Sequence, residues 1–292
     1  MIPNNNLSIL PWYSSIEQQN ARKWWVYQRI YPLFCRAGYL LPWQLLLPYD
    51  STLVVTSVTS ILLIDANTGN TVGNFTADIR AGITVKQYAS FGYTALVFPG
   101  QIPVFNSMDN GRYYLQMTVG TQTFYSEVFT VVNDISPYLK LTWWDTDDFV
   151  MDAGVIVYTD PAFKNIVYLP SDIAKPEYVF TEEGEERDGY FFATKQISEK
   201  RYKFNFLASE YMLDVLRFVR MADYAEIEYH GQLYQLDTFL ITPEWEANGD
   251  VAVVSAEFET ATVAKKIGTG YVKAMRGDYN DDFGNDYSNQ AE

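Results

Sequence analysis

The sequence predicts a mainly β protein of two modules, an immunoglobulin-like β-sandwich followed by an α+β β-sandwich with one flanking helix. Three observations carry that expectation. Short β-branched and aromatic runs recur between turn signals from Leu40 to Asp134. A single stretch has an extended helical stripe, with Met212, Val215, Leu216 and Val219 spaced i, i+3, i+4, i+7. The charge balance also changes at Asn133-Asp134-Ile135-Ser136-Pro137. Residues 1–135 hold 7 basic and 7 acidic residues, whereas residues 136–292 hold 14 and 29 and so carry the whole net charge of −15.

Taken in order, residues 1–37 read as a basic aromatic arm. Ser15-Ile16-Glu17-Gln18 has capping-box spacing, which predicts a short helix through Trp25. Arg22, Lys23, Arg29 and Arg36 outweigh Glu17, and Trp12, Tyr13, Trp24, Trp25, Tyr27 and Tyr31 present more aromatic area than so short a segment can bury by itself. Residues 38–135 form the first module. Leu53–Val58 and Ser60–Ile64 read as strands, Asp65–Asn70 as a turn, and Arg112–Val119 with Thr123–Val132 as a late hairpin around Gly120.

Residues 136–270 form the second module. Tyr138–Trp144, Val155–Tyr158, Val167–Leu169 and Tyr202–Phe206 read as strands. A helix over 210–222 follows Ser209 as N-cap, and then come Ala225–Tyr229, a turn at His230-Gly231, Leu233–Ile241 and Val251–Thr260. Residues 271–292 form an acidic tail in which Tyr279, Phe283 and Tyr287 recur every four residues among Asp278, Asp281, Asp282 and Asp286. That composition needs a partner to become ordered.

Composition excludes more chemistry than it names. One cysteine, Cys35, forbids an intramolecular disulfide or a multi-thiolate metal site, and one histidine, His230, forbids a site with two imidazoles from one chain. A net charge of −15 argues against direct nucleic-acid binding. The start lacks a basic, then apolar, signal pattern, and no apolar run reaches the ~18 residues of a membrane span, so the expectation is a chain made in a cytoplasm with no membrane segment. Aromatic residues are the surplus, at 16% with 23 Tyr, 18 Phe and 7 Trp.

No constellation supports an enzyme, a cofactor or a bound metal. Asp145, Asp147, Asp148 and Asp152 are oxygen ligands in principle, but their spacing misses the EF-hand loop and reads as a solvated acidic loop. Glu182-Glu183-Gly184-Glu185-Glu186-Arg187-Asp188-Gly189 reads as a charged hairpin tip or an interface for a basic neighbour rather than half of a glycosidase pair, whose signature is a spatial separation. His230 reads as a turn residue and Cys35 as buried packing. Nucleotide-binding, nucleophile-elbow and zinc-protease motifs are absent from the sequence. Trp143 and Trp144 could stack on sugar faces, which keeps a host-glycan-binding module as the alternative reading.

Three stretches, Lys195–Phe206, Ser209–Phe218 and Trp245–Asp250, resemble tail proteins encoded by phages and prophages of Bacteroides-type bacteria. Leu10-Pro11-Trp12, Ile30-Tyr31-Pro32-Leu33 and Leu41-Pro42-Trp43-Gln44 are similar to the same group. The resemblance implies a virion structural protein of the tail or baseplate, distal-tail-like, assembled in the host cytoplasm. Its second module would be tail-tube-like, and its partners would be itself, in a commonly hexameric ring, and other tail proteins. A head-fibre or capsid-decorating protein is a further alternative. The ring-like module lies C-terminal here, whereas in many distal tail proteins it comes first. The residues expected to clasp neighbouring subunits are Trp12, Arg22, Trp24 and Trp25 in the arm and Tyr279, Phe283 and Tyr287 in the tail.

Overall fold

A computed structural model describes residues 8–21, 33–100, 109–146, 149–150, 156–157, 163–187, 189–245, 251–260 and 264–267. The protein is mainly β, a sandwich followed by an α+β module with one flanking helix. In the first module the elements are β1 (Trp12–Tyr13), α1 (Ile16–Ala21), β2 (Phe34–Arg36), β3 (Trp43–Pro48), β4 (Val58–Asp65), β5 (Thr71–Asn74), α2 (Thr76–Gly82), β6 (Thr84–Tyr88), β7 (Tyr93–Phe98), β8 (Gly111–Val119), β9 (Gln122–Ser126) and β10 (Phe129–Val132).

Strand β8 is the centre of a seven-stranded sheet, paired with β4 on one side and with β9 and β10 on the other. A three-stranded sheet, β3-β7-β6, packs over it. The alternation of β8 explains that layer, because Tyr113, Leu115, Met117 and Val119 are buried while their neighbours are partly exposed. In β3 and β7 nearly every residue is buried, since both faces of the smaller sheet are covered. Trp43, Leu45 and Leu47 face the sandwich core, whereas Leu46, Ala95 and Val97 face Phe163.

Two expectations are corrected here. Leu53–Ser57 is not a strand: Val55–Ser57 is a 3-10 turn, and the strand begins at Val58. A period-2 reading also misses α2, which buries only Ile79. The Asp65–Asn70 turn forms as expected, with the Asn67 and Thr68 N–H groups donating to Asp65 Oδ1 at 2.8 Å each and Gly69 at φ +73°.

The second module comprises β11 (Leu139–Trp144), β12 (Phe149–Val150), β13 (Ile156–Val157), β14 (Asn165–Leu169), β15 (Glu177–Arg187), β16 (Tyr190–Ser209), α3 (Glu210–Leu216) continued by a 3-10 turn (Arg217–Met221), β17 (Tyr224–Tyr229), β18 (Gln232–Trp245), β19 (Val251–Thr260) and β20 (Ala264–Ile267). Its sheet runs β14-β11-β17-β18-β19-β16-β15, with β20 also on β16.

The helical stripe is seated as the periodicity requires. Met212, Val215, Leu216 and Val219 are all buried, joined in one core with Phe204, Phe206, Phe239 and Phe258. Ser209 occupies the N-cap, but its hydroxyl makes no cap bond. The turn between β17 and β18 has His230 at φ +48° and Gly231 at φ +75°, the two left-handed positions of a type I′ hairpin.

The two modules share one hydrophobic core. Leu139, Leu141 and Val167 belong to the same cluster as Leu33, Cys35 and Leu41, and the rings of Phe34 and Tyr138 meet at 4.9 Å across the junction. No helix among the described residues is long and apolar enough to cross a membrane.

Candidate functional site

The surface feature that stands out is the hairpin of β15 and β16. Its length follows from its residues, since β16 continues for 20 residues without a Gly or Pro, and strands that long lie far above the usual ~5–6. Only the Tyr202–Ser209 end lies on the core, where Tyr202, Phe204, Phe206 and Ala208 are buried on one face. Among the described residues, 190–200 pair with β15 and β20 alone.

The core-facing alternation nevertheless continues past the core edge. Tyr178 lies opposite Lys200 and Phe180 opposite Ser198, on the face that carries Tyr202 and Phe204. A register shift at Glu183/Gly184 then brings Phe191 onto that face, opposite Glu186. Tyr178, Phe180 and Phe191 are 62%, 71% and 53% exposed. Three large rings on one face of a projecting hairpin mark a surface built for contact, because scattered single apolar residues do not align in this way.

Charge holds the hairpin in register. Lys195 pairs with Glu183 at 2.8 Å, Gln196 Nε2 donates to Glu182 at 2.7 Å, and Lys203 pairs with Glu177 at 2.9 Å. At the root, Arg201 bridges to Glu259 at 2.8 Å and to Glu257 at 3.0 Å. Exposed pairs of this kind each contribute little, but directly opposed charges exclude slipped pairings. The acidic run that reads as a hairpin tip is therefore part of one strand of this hairpin, with Glu183 answered by Lys195 and Glu182 by Gln196 of β16.

Of the residues expected to clasp neighbours, Trp12 is placed and its role is corrected. It is 6% exposed, packs edge-on against Trp43 at 5.0 Å, and lies in β1, which pairs with β9. Trp43 in turn stacks on Phe98 at 5.6 Å. The aromatic area that a short arm cannot hide is buried, at this position, by the chain's own sandwich. Arg22, Trp24, Trp25, Tyr279, Phe283 and Tyr287 lie outside the described residues.

The paired-tryptophan platform is also corrected. Successive strand residues point to opposite faces, so Trp143 enters the core at 2% exposure while Trp144 faces outward. The Trp144 ring is occupied by Tyr224, stacked at 5.4 Å, and by Lys164 Nζ at 3.7 Å from its centroid.

Asp145 sits beside Asp223 rather than in a ligand cage. It accepts the Asp223 N–H at 3.1 Å, while Thr146 donates its N–H and hydroxyl to Asp223 at 2.9 and 2.6 Å. Asp147, Asp148 and Asp152 lack described side chains. Among the described residues no group of three or more His, Cys, Asp or Glu is placed to hold a metal ion. His230 is an exposed turn residue against Tyr229. Cys35 is buried and donates its thiol to the Tyr39 carbonyl, and burial pushes its pKa up to about 12, so at neutral pH it stays a thiol.

No family model matches this chain, and no curated protein matches it. A crystal structure of Dpr2 Ig1-Ig2 in complex with DIP-Theta Ig1-Ig3 aligns over 81% of this chain and 92% of that chain, at 9% identity and a TM-score of 0.14. A likeness that low carries no inference.

Proposed function

We propose that this chain is a non-enzymatic assembly subunit of a phage tail or baseplate, which joins copies of itself and neighbouring tail proteins by burying aromatic anchors. The observation that carries this reading is the β15–β16 hairpin, with Tyr178, Phe180 and Phe191 exposed along one face beyond the core. Aromatic residues ringed by charge are the usual anchors of protein interfaces. The sequence resemblance to phage tail proteins names the particle, and the hairpin supplies a means of assembly.

The test is the mass of the full chain in solution. Light scattering over a range of concentrations is expected to give an oligomer, and Phe180→Asp is expected to return it to monomer while leaving the circular dichroism unchanged. A wild-type chain that remains monomeric at the highest soluble concentration, alone and mixed with the other tail proteins of its particle, would remove the proposal.

A further inference from the structure

A second site lies at the junction of the modules, about 190 Å³ in volume and lined by Cys35, Arg36, Tyr39 and Leu41 from the first module and Lys140 and Tyr168 from the second. Its wall is set by strand register. Tyr168, Lys140 and Glu228 lie side by side across β14, β11 and β17, and β2 brings Arg36 against β14.

The charges around it do not cancel. Lys140 Nζ reaches Glu228 at 3.2 Å. Arg36 makes no ion pair with any described carboxylate. Its guanidinium lies 5.2 Å from the centre of the Tyr39 ring, which holds it without neutralising it. Arg36, Lys140 and Glu228 together leave one net positive charge at a cleft in a chain of −15. Tyr168 adds a phenol that burial, helped by Cys35, Glu228 and Tyr39 and opposed by Arg36, pushes up to about 12, so it remains a hydrogen-bond donor at neutral pH.

We infer that this cleft binds a carboxylate monoanion, with Arg36 as the bidentate partner and the Tyr168 hydroxyl and Lys140 ammonium as further donors. One residual positive charge matches one carboxylate, whereas a phosphate dianion would meet the Glu228 carboxylate with charge to spare. The volume lies below the ~300 Å³ of an ordinary drug-sized pocket. The ligand is therefore no larger than a single carboxylated sugar or one acidic side chain of a neighbouring subunit. Because the lining comes from both modules, binding would also brace the junction.

The experiment is calorimetric titration of the full chain with glucuronate, with glucose as neutral control, with inorganic phosphate, and with a synthetic peptide of residues 278–292. Glucuronate binding without glucose binding is expected for a free carboxylate ligand, and binding of the peptide assigns the source to another copy's tail. In either case Arg36→Gln is expected to weaken affinity about tenfold or more, as for loss of a charge-assisted pair. Its melting temperature without ligand should be nearly unchanged, since Arg36 is exposed and, among the described residues, loses only the Tyr39 ring contact and no ion pair. The inference fails if neither carboxylate binds at millimolar concentration, if glucose or phosphate binds as tightly as glucuronate, or if Arg36→Gln binds like the wild type.

Discussion

Trp12 shows how a single side chain can be redirected by its surroundings. By sequence it belongs to a basic, aromatic arm, yet its indole fills the space between β9 and Trp43 at 6% exposure. Trp12→Ala is therefore expected to destabilise the fold by roughly 3–5 kcal/mol, as for other buried aromatic truncations. Chemical denaturation measures this, and an unchanged midpoint would restore Trp12 to the surface.

Asp145 gives a pH-dependent case. Burial first, and the neighbouring Asp223 carboxylate as well, hold its pKa above the ordinary carboxylate value, against the lowering effect of the Asp223 N–H bond. A raised folded pKa means its contribution to stability is complete below the unfolded value and lost as pH rises through the folded one. At neutral pH the ionised Asp145 is thus a cost. Asp223 has the opposite sign, since its bonds from Thr146 lower its pKa, and its contribution is lost on acidification. Asp145→Asn keeps the acceptor for the Asp223 N–H and removes the charge. Its melting temperature is expected to exceed the wild type's at pH ~7, with the gap closing toward pH ~3, where carboxylates protonate. A gap that widened on acidification would contradict this account.

At the scale of elements, α3 was the most legible and β16 the least. Four apolar positions at helical spacing identify α3, because a helix packed on a sheet must bury one stripe. Leu216→Ala is expected to cost about 2–5 kcal/mol, the range for buried leucines. Ser209→Ala should fall well short of the ~1 kcal/mol typical of an N-cap, because the Ser209 hydroxyl makes no cap bond. Equal losses from the two variants in urea denaturation would show that the cap matters as much as the core.

The Tyr202–Phe206 end of β16 reads as a strand from its alternation, whereas Lys200 and Ser198 place polar side chains on the same face. The apolar pattern of β16 ends there, but Tyr178 and Phe180 of β15 carry the same face on past the end of burial. Burial stops where α3 and the side chains of Tyr234 and Phe239 no longer pack on β16, which is a fact of topology.

At the scale of the whole molecule, the change of charge at 133–137 coincides with the change of sheet, but the core does not divide there. Leu33, Leu41, Leu139 and Val167 pack in one cluster, so the modules should lose structure together. Far-ultraviolet circular dichroism and tryptophan fluorescence are expected to trace one coincident denaturation transition. Two separated transitions would mean that the shared cluster does not couple the modules.

Sequence alone determined the β character of the chain, the Asp65–Asn70 and His230-Gly231 turns, the α3 stripe and the place where the charge changes. Each of these depends on residues within a few positions of one another, through local conformational preference or periodic burial. Only the tertiary structure decided that Trp12 and Trp143 are core residues, that Tyr178, Phe180 and Phe191 share an uncovered face, and that Arg36 meets Lys140 and Tyr168 at one cleft. Those outcomes join residues far apart in sequence, as Arg36 and Tyr168 are. They follow from which strands pair and what packs over them, and one residue's environment is then set by another whose distance in sequence carries no local signal.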